Sequence, residues 1–439
     1  MKGIGLRATR VLSVALLVFL LVATANPAVA VEQLEWNGYV EEAYARRVEK
    51  NEDAIYHRQT LNAKLTGEFS DFADFRFEAS LWRDDADFQE GDDYEARVLE
   101  AYIRFRFERF DLRVGRMQIG WGESDGIVIS DQVSPFDLTN FVVPSFDAIR
   151  MGVDGATVDY YFDDGSDLQL IWIARFQIPD YPEVESPWSF IDAEELAAQG
   201  IELGGTASTP DSLRNSEFGA RYSRHPLWAD WSLGYFHSRD DRPTPRLRGN
   251  QLVLTHDFYD LASFNFVAPI GESLVRIDSA YEIGRFLPLD PRNPEASGSA
   301  SAGFVDRHDL WRTMLGVDIK PNLAWWPQAN AAFRLIHEQV VDPNPALLDR
   351  READFASVRL MAGYRNETIK PFLFWVQNAR GADSWLQVKV DYEGFDNWRL
   401  SLEYDLFQGH DFSATTNNGG NFGRFAGNDL IQATVRRSF

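Results

Sequence analysis

Charged side chains recur at alternate positions, between apolar ones, through most of this chain. Phe75, Phe77, Ala79 and Leu81 alternate with Arg76, Glu78 and Ser80. Ala101, Ile103 and Phe105 alternate with Glu100, Tyr102, Arg104 and Arg106. The same parity selects Arg113, Arg175, Arg221, Arg276, Arg312, Arg334 and Arg359. Guanidinium groups bind carboxylates and phosphates bidentately. Opposed rows of arginines and acids create a transverse field that orients polar solutes and tunes ion selectivity. Burying so many charges in a dry interior is very costly, so the face they share needs water. One stretch breaks the alternation: Gly120-Trp121-Gly122-Glu123-Ser124-Asp125-Gly126, with Asp131 shortly after. Its glycines allow the backbone to turn inward. Trp121 is then expected to pack on an inner wall, with Glu123, Asp125 and Asp131 facing an aperture.

Covalent chemistry finds little support. Ser124 lies beside Glu123 and Asp125, but no histidine is near in sequence to act as base. The seven histidines are scattered, and none forms a metal-binding pair of the HExxH type. Glu123, Asp125 and Asp131 lack the spacing of a calcium-binding EF-hand loop. Cysteine is absent, which excludes thiol catalysis and disulfides. The reading assigns no catalytic residue, no metal site and no cofactor. A net charge of −24 argues against a nucleic-acid partner.

The elements that carry these residues are strands. Segments of about ten residues with one apolar and one polar face repeat to the end of the chain, as in Trp398, Leu400, Leu402, Tyr404 and Leu406 against Arg399, Ser401, Glu403 and Asp405. Thirteen tryptophans and 32 phenylalanines suit interfacial aromatic girdles. Residues 11–25 are apolar, follow Lys2, Arg7 and Arg10, and precede Ala28-Val29-Ala30. Residues 1–30 therefore read as a cleaved signal peptide and 31–439 as the barrel. Connections alternate between short and long, eight short and nine long, which makes about eighteen antiparallel strands, with sixteen as the alternative. That count treats residues 250–268 as one long strand. It also allows a short helix in 189–199, within a long loop. The expected fold class is all-β: a transmembrane antiparallel β-barrel with long external loops and short periplasmic turns.

The chain ends Ile431, Ala433, Val435, then Phe439, which resembles the closing strand of Gram-negative outer-membrane proteins, although Arg437 stands where an apolar residue is usual. Gly115-Arg116, Trp121-Gly122 and Ser134-Pro135-Phe136-Asp137-Leu138 resemble a pattern in proteobacterial porin-like barrels, similar to the alginate-export type. The resemblance implies an outer-membrane channel or exporter, and in general porins the third external loop forms the constriction. The expectation is passive diffusion of small polar or anionic solutes in the cell outer membrane. The partners are then membrane lipid and lipopolysaccharide, and a homo-oligomer is open. Two alternatives are a structural or partner barrel of a periplasmic export or electron-transfer assembly, and an outer-membrane hydrolase.

Overall fold

The structure, a computed structural model, describes residues 32–48, 54–85, 94–123, 126–146, 148–210, 212–380, 382–411 and 420–439. The proposed signal peptide and Asp125 lie outside the described residues. In chain order the barrel strands are Glu32–Arg47, Tyr56–Ser70, Ala73–Asp84, Glu95–Arg106, Phe110–Met117, Val153–Tyr161, Asp167–Ile173, Glu217–Arg224, Asp230–Arg239, Phe258–Ile270, Ser273–Pro288, Val305–Ile319, Asn330–Val341, Glu352–Met361, Ile369–Asn378, Ser384–Phe395, Trp398–Gln408 and Leu430–Ser438. Each pairs antiparallel with the next in this order, and the first pairs with the last, from Tyr39 opposite Ser438 to Arg47 opposite Leu430. The result is a closed barrel of 18 strands, the number expected from the turn count.

Parity sorts the two faces. Leu61, Leu233, Leu315, Leu335 and Leu402 project outward and are exposed, whereas Asn62, Ser232 and Arg334 beside them are buried within the barrel. A pleated strand alternates its side chains, so the outer surface is apolar where lipid would touch it and the inner surface is largely polar. Exposed aromatics gather at two levels. Trp36, Phe72, Phe107, Trp228, Trp325 and Phe395 lie toward the short-turn end, and Tyr44, Trp172, Tyr235, Tyr281 and Trp311 toward the long-loop end. Such belts mark the two membrane–water interfaces of a spanning barrel. No described helix is long and apolar enough to cross a membrane.

The expectation of one strand across 250–268 is corrected. Gln251–Thr255 leaves the barrel wall, pairs antiparallel with Thr244–Arg248 and parallel with Glu202–Thr206, and so builds a separate three-stranded sheet. The break falls at His256 and Asp257. There the Asp240 amide donates to the Asp257 carbonyl at 2.8 Å, and the His256 Nδ1 lies 2.7 Å from the Asp240 carbonyl. These bonds cinch the base of an excursion whose alternating Leu252 and Leu254 line an internal cavity rather than the wall. The short helix is present as Ala193–Ala198, capped by the Asp192 side chain, which accepts from the Glu195 amide at 2.9 Å.

Replacing outward Leu335, 64% exposed at mid-strand, with arginine is expected to destabilise the barrel by about 2–4 kcal/mol. Equilibrium urea unfolding in lipid vesicles measures it. A change under about 0.5 kcal/mol would mean that this face does not meet hydrocarbon.

Candidate functional site

The segment between the strands Phe110–Met117 and Val153–Tyr161 does not project from the barrel. Its contacts are with inward-facing side chains. Trp121 is 1% exposed. Its indole Nε1–H donates to the Gln169 Oε1 at 2.9 Å, and its ring lies 6.0 Å from that of Phe236. The wall is hollowed to receive it, since a Cβ on Gly219 or Gly234 would come within 3.1 Å of the indole. Met117, Ile119, Ile129 and Val133 join Trp121 in one buried cluster with Ile171, Ile173, Leu261, Met314, Phe374 and Val376 from the wall. Part of the lumen is thus a packed apolar core.

Polar contacts fix the segment's course. The Glu123 amide donates to Asp278 at 3.0 Å, and the Glu123 carboxylate pairs with Arg276. Asn265 donates to the Ser130 Oγ and to Asp278, each at 3.0 Å. The Tyr259 hydroxyl donates to Gln132 at 2.6 Å, and Gln132 donates in turn to Glu282 at 2.9 Å. Gly122 has φ +121°, and a Cβ there would sit 3.0 Å from Asp278, so only glycine fits this turn without strain. At the far side, Gly126 approaches Phe374, whose ring a Cβ would meet at 3.7 Å.

Asp131 departs from expectation. It does not face open space but turns back into the segment, where it accepts from the Trp121 amide at 2.8 Å and pairs with Arg150. Arg150 also stacks 4.8 Å over Phe136. The missed counter-charge lies in a loop, where strand periodicity carries no signal.

Most of the expected arginines fall on two arcs of the inner wall. Arg76 pairs with Glu78 at 2.9 Å and with Glu100; Arg104 pairs with Asp74 at 2.9 Å; Arg106 reaches Glu68 at 3.2 Å; Arg113 reaches Asp159 at 3.2 Å. These form one arc of the inner wall. Arg276 and Arg334 share Asp318, at 2.7 and 2.6 Å, while Arg312 faces Glu282 and Glu338 at 3.5 and 3.7 Å. These lie on the arc that the segment touches. Arg221, two residues along its strand from the Gly219 that receives Trp121, lies on the same arc and donates to the Ser232 Oγ at 3.0 Å. Arg359 follows the inward parity of Phe355 and Ser357. Arg175 lies just beyond the strand Asp167–Ile173, pairs with Asp154 at 3.1 Å and lines the cavity above.

Sequence reasoning missed Arg285, which the break in register between Glu282 and Arg285 turns inward, onto Asp240 and Glu282. It also missed how the long connections pack together. Phe141, Trp188, Phe190 and Phe425 come from three of them and make one aromatic cluster. Between this cluster, the small sheet and the inward segment lies a cavity of about 2890 Å³.

A family model described as a protein of unknown function, DUF1302, matches residues 34–439. A comparison with curated proteins gave no match. Among solved structures, Acinetobacter baumannii OccAB2 is similar at 9% identity and a TM-score of 0.54, covering 94% of this chain and 99% of that one. The outer membrane protein OpdK from Pseudomonas aeruginosa is similar at 10% identity and 0.53, covering 93% and 99%. Pseudomonas aeruginosa OccD3 gives 11% and 0.52, covering 94% and 92%. At these identities the likeness is one of fold.

Burial raises the Glu123 carboxyl above its ordinary range, against the pull of Arg276 and Arg221. A carboxyl raised in this way favours the neutral form, so it takes up its proton at a higher pH than an exposed glutamate would. As pH falls, the Glu123–Arg276 pair is expected to break before the ordinary glutamate range is reached. If the barrel conducts in planar bilayers, its current should step at that pH, and Glu123→Gln should remove the step. An unchanged step in the variant would assign it to another group.

Proposed function

The chain belongs to the DUF1302 family, and from that premise we propose that it is an outer-membrane channel for passive diffusion of small polar or anionic solutes. On this reading the signal peptide directs export and is removed, the aromatic belts sit at the two lipid interfaces, and the long connections face the cell exterior among lipopolysaccharide. The inward segment is the third of those connections and acts as the constriction. The Gly-Arg and Trp-Gly elements that resemble alginate-export-type barrels build the segment's entry. The observation that carries the reading is a segment pinned by Glu123, Ser130 and Gln132 to the far wall of a closed barrel. Above it lies a large cavity, and around it an inner wall rich in ion pairs.

The physics is selection without covalent chemistry. Pore width is set where the segment meets the wall. Charge preference is set by the side chains that stay hydrated, and Arg104 and Arg106 are one-third or more exposed on theirs. Fixed positive groups in a narrow aqueous path raise the local concentration of anions.

In planar bilayers the full chain is expected to form an ohmic pore, and Arg104→Gln with Arg106→Gln should shift its reversal potential toward cation preference. Deleting residues 120–126 should raise conductance several-fold. A barrel that conducts neither before nor after the deletion would overturn the channel reading, and unchanged conductance after it would place the constriction elsewhere.

A further inference from the structure

The cavity above the inward segment differs from the inner wall below it. Its side formed by the small three-stranded sheet presents Leu203, Leu247, Leu252 and Leu254. Its floor, where the segment meets the opposite wall, is Ile127 and Val128 against Phe374 and Val376. Aromatic rings connect the loop cluster to that floor. Phe190 and Phe425 lie 5.8 Å apart, Phe425 and Phe407 6.2 Å, Phe407 and Trp385 6.3 Å, and Trp385 and Phe374 5.3 Å. Phe422 adds a ring 6.0 Å from Trp385. Of these, Phe190, Phe422, Trp385 and Phe374 line the cavity, while the buried Phe425 and Phe407 join them from behind, so this aromatic track meets the cavity at its upper part and again at its floor.

Charged residues line the cavity too, among them the acids Glu185, Asp192 and Glu195, and several of its arginines are paired. Arg97 pairs with Asp137 and Asp180, each at 2.7 Å; Arg116 pairs with Asp154 at 2.7 Å; Arg424 pairs with Asp411 at 3.1 Å; Arg242 faces Asp349 at 3.6 Å. A small ion therefore meets largely paired arginines beside apolar surface, at the sheet side and at the floor alike. A solute that covers the track with its own apolar surface gains in proportion to the area removed from water. Ordinary ligand pockets hold roughly 300–1,000 Å³, so this cavity accommodates a long alkyl chain or a fused-ring body with room for its head group.

We propose that this cavity is a binding site for amphipathic anions, which it holds by their apolar bodies along the aromatic track before they pass the segment. This rests on the channel reading above and narrows its solute class. Charge then admits a solute to the pore below, while the apolar body decides which anions reach it. Leu252 stands on the small sheet, away from the barrel wall, and Phe422 stands in a connection, so both can be changed without touching the strand pairing of the barrel.

The full chain in lipid nanodiscs, titrated calorimetrically with 1-decanesulfonate and with methanesulfonate, tests this, with empty nanodiscs as the blank. Saturable decanesulfonate binding above the blank, at least about tenfold tighter than methanesulfonate, is expected. Leu252→Asp and Phe422→Asp, each still migrating as a heat-modifiable folded barrel, should weaken it about tenfold. Equal affinity for the two sulfonates, decanesulfonate uptake no greater than the blank, or folded variants that bind like the parent would overturn the proposal. Bilayer conductance of the same preparations separates the two claims. A conducting pore that treats the sulfonates alike overturns this inference alone, and a barrel that conducts in no form overturns the channel reading.

Discussion

Hydrocarbon offers no water to a backbone amide, so a sheet that crosses it must leave no edge. The pairing of the first strand with the last meets that demand here, completed at the short-turn end by reciprocal bonds between Gly38 and Phe439 of 3.1 and 3.0 Å. Closure has a geometric cost. Eighteen tilted strands enclose a lumen too wide for side chains from the wall to fill, and the apolar face must point outward. The familiar arrangement of a soluble protein is thereby inverted, with the interior left for polar groups and for whatever segment the chain can spare.

The connection after the fifth strand is that segment. It carries its own apolar side chains into the lumen and finds an apolar patch waiting, because Ile171, Ile173, Leu261 and Phe374 point inward against the general rule of the wall. Trp121 is the keystone of the contact. A buried indole removes roughly 150–250 Å² from water, and its one polar atom is satisfied by Gln169. Glu123 is then held by Arg276 of the wall, and Asp131 by Arg150 of the segment's own return limb.

Architecture was legible because lipid imposes a strict alternation and because turns of opposite length alternate along the chain. The exception is instructive. Leu252 and Leu254 satisfy the strand pattern as well as any wall residue, yet they cover a cavity, and alternation alone cannot say what the apolar face meets. Strands apolar on both faces, such as Asp167–Ile173 and Ile369–Asn378, were the available clue to an inner core, since a run of this kind is buried twice. The glycines and Trp121 marked the segment. Arg150, Asp278 and Asn265 did not announce themselves, because their partners lie up to 155 residues away and neither helix nor strand periodicity relates them. The aromatic cluster of Phe141, Trp188 and Phe425 was invisible for the same reason.

That separation also sets an order of events. The segment belongs to the first third of the chain, but Glu123 waits for Arg276, Gln132 for Tyr259 and Gly126 for Phe374. Contacts so distant along the chain form slowly, since long loops must close first. The strands that carry these partners, as far along as Ile369–Asn378, must therefore be in place before the segment's contacts are complete. Without Trp121 and its neighbours the same wall would be an open tube, so one connection of the chain is what divides its lumen.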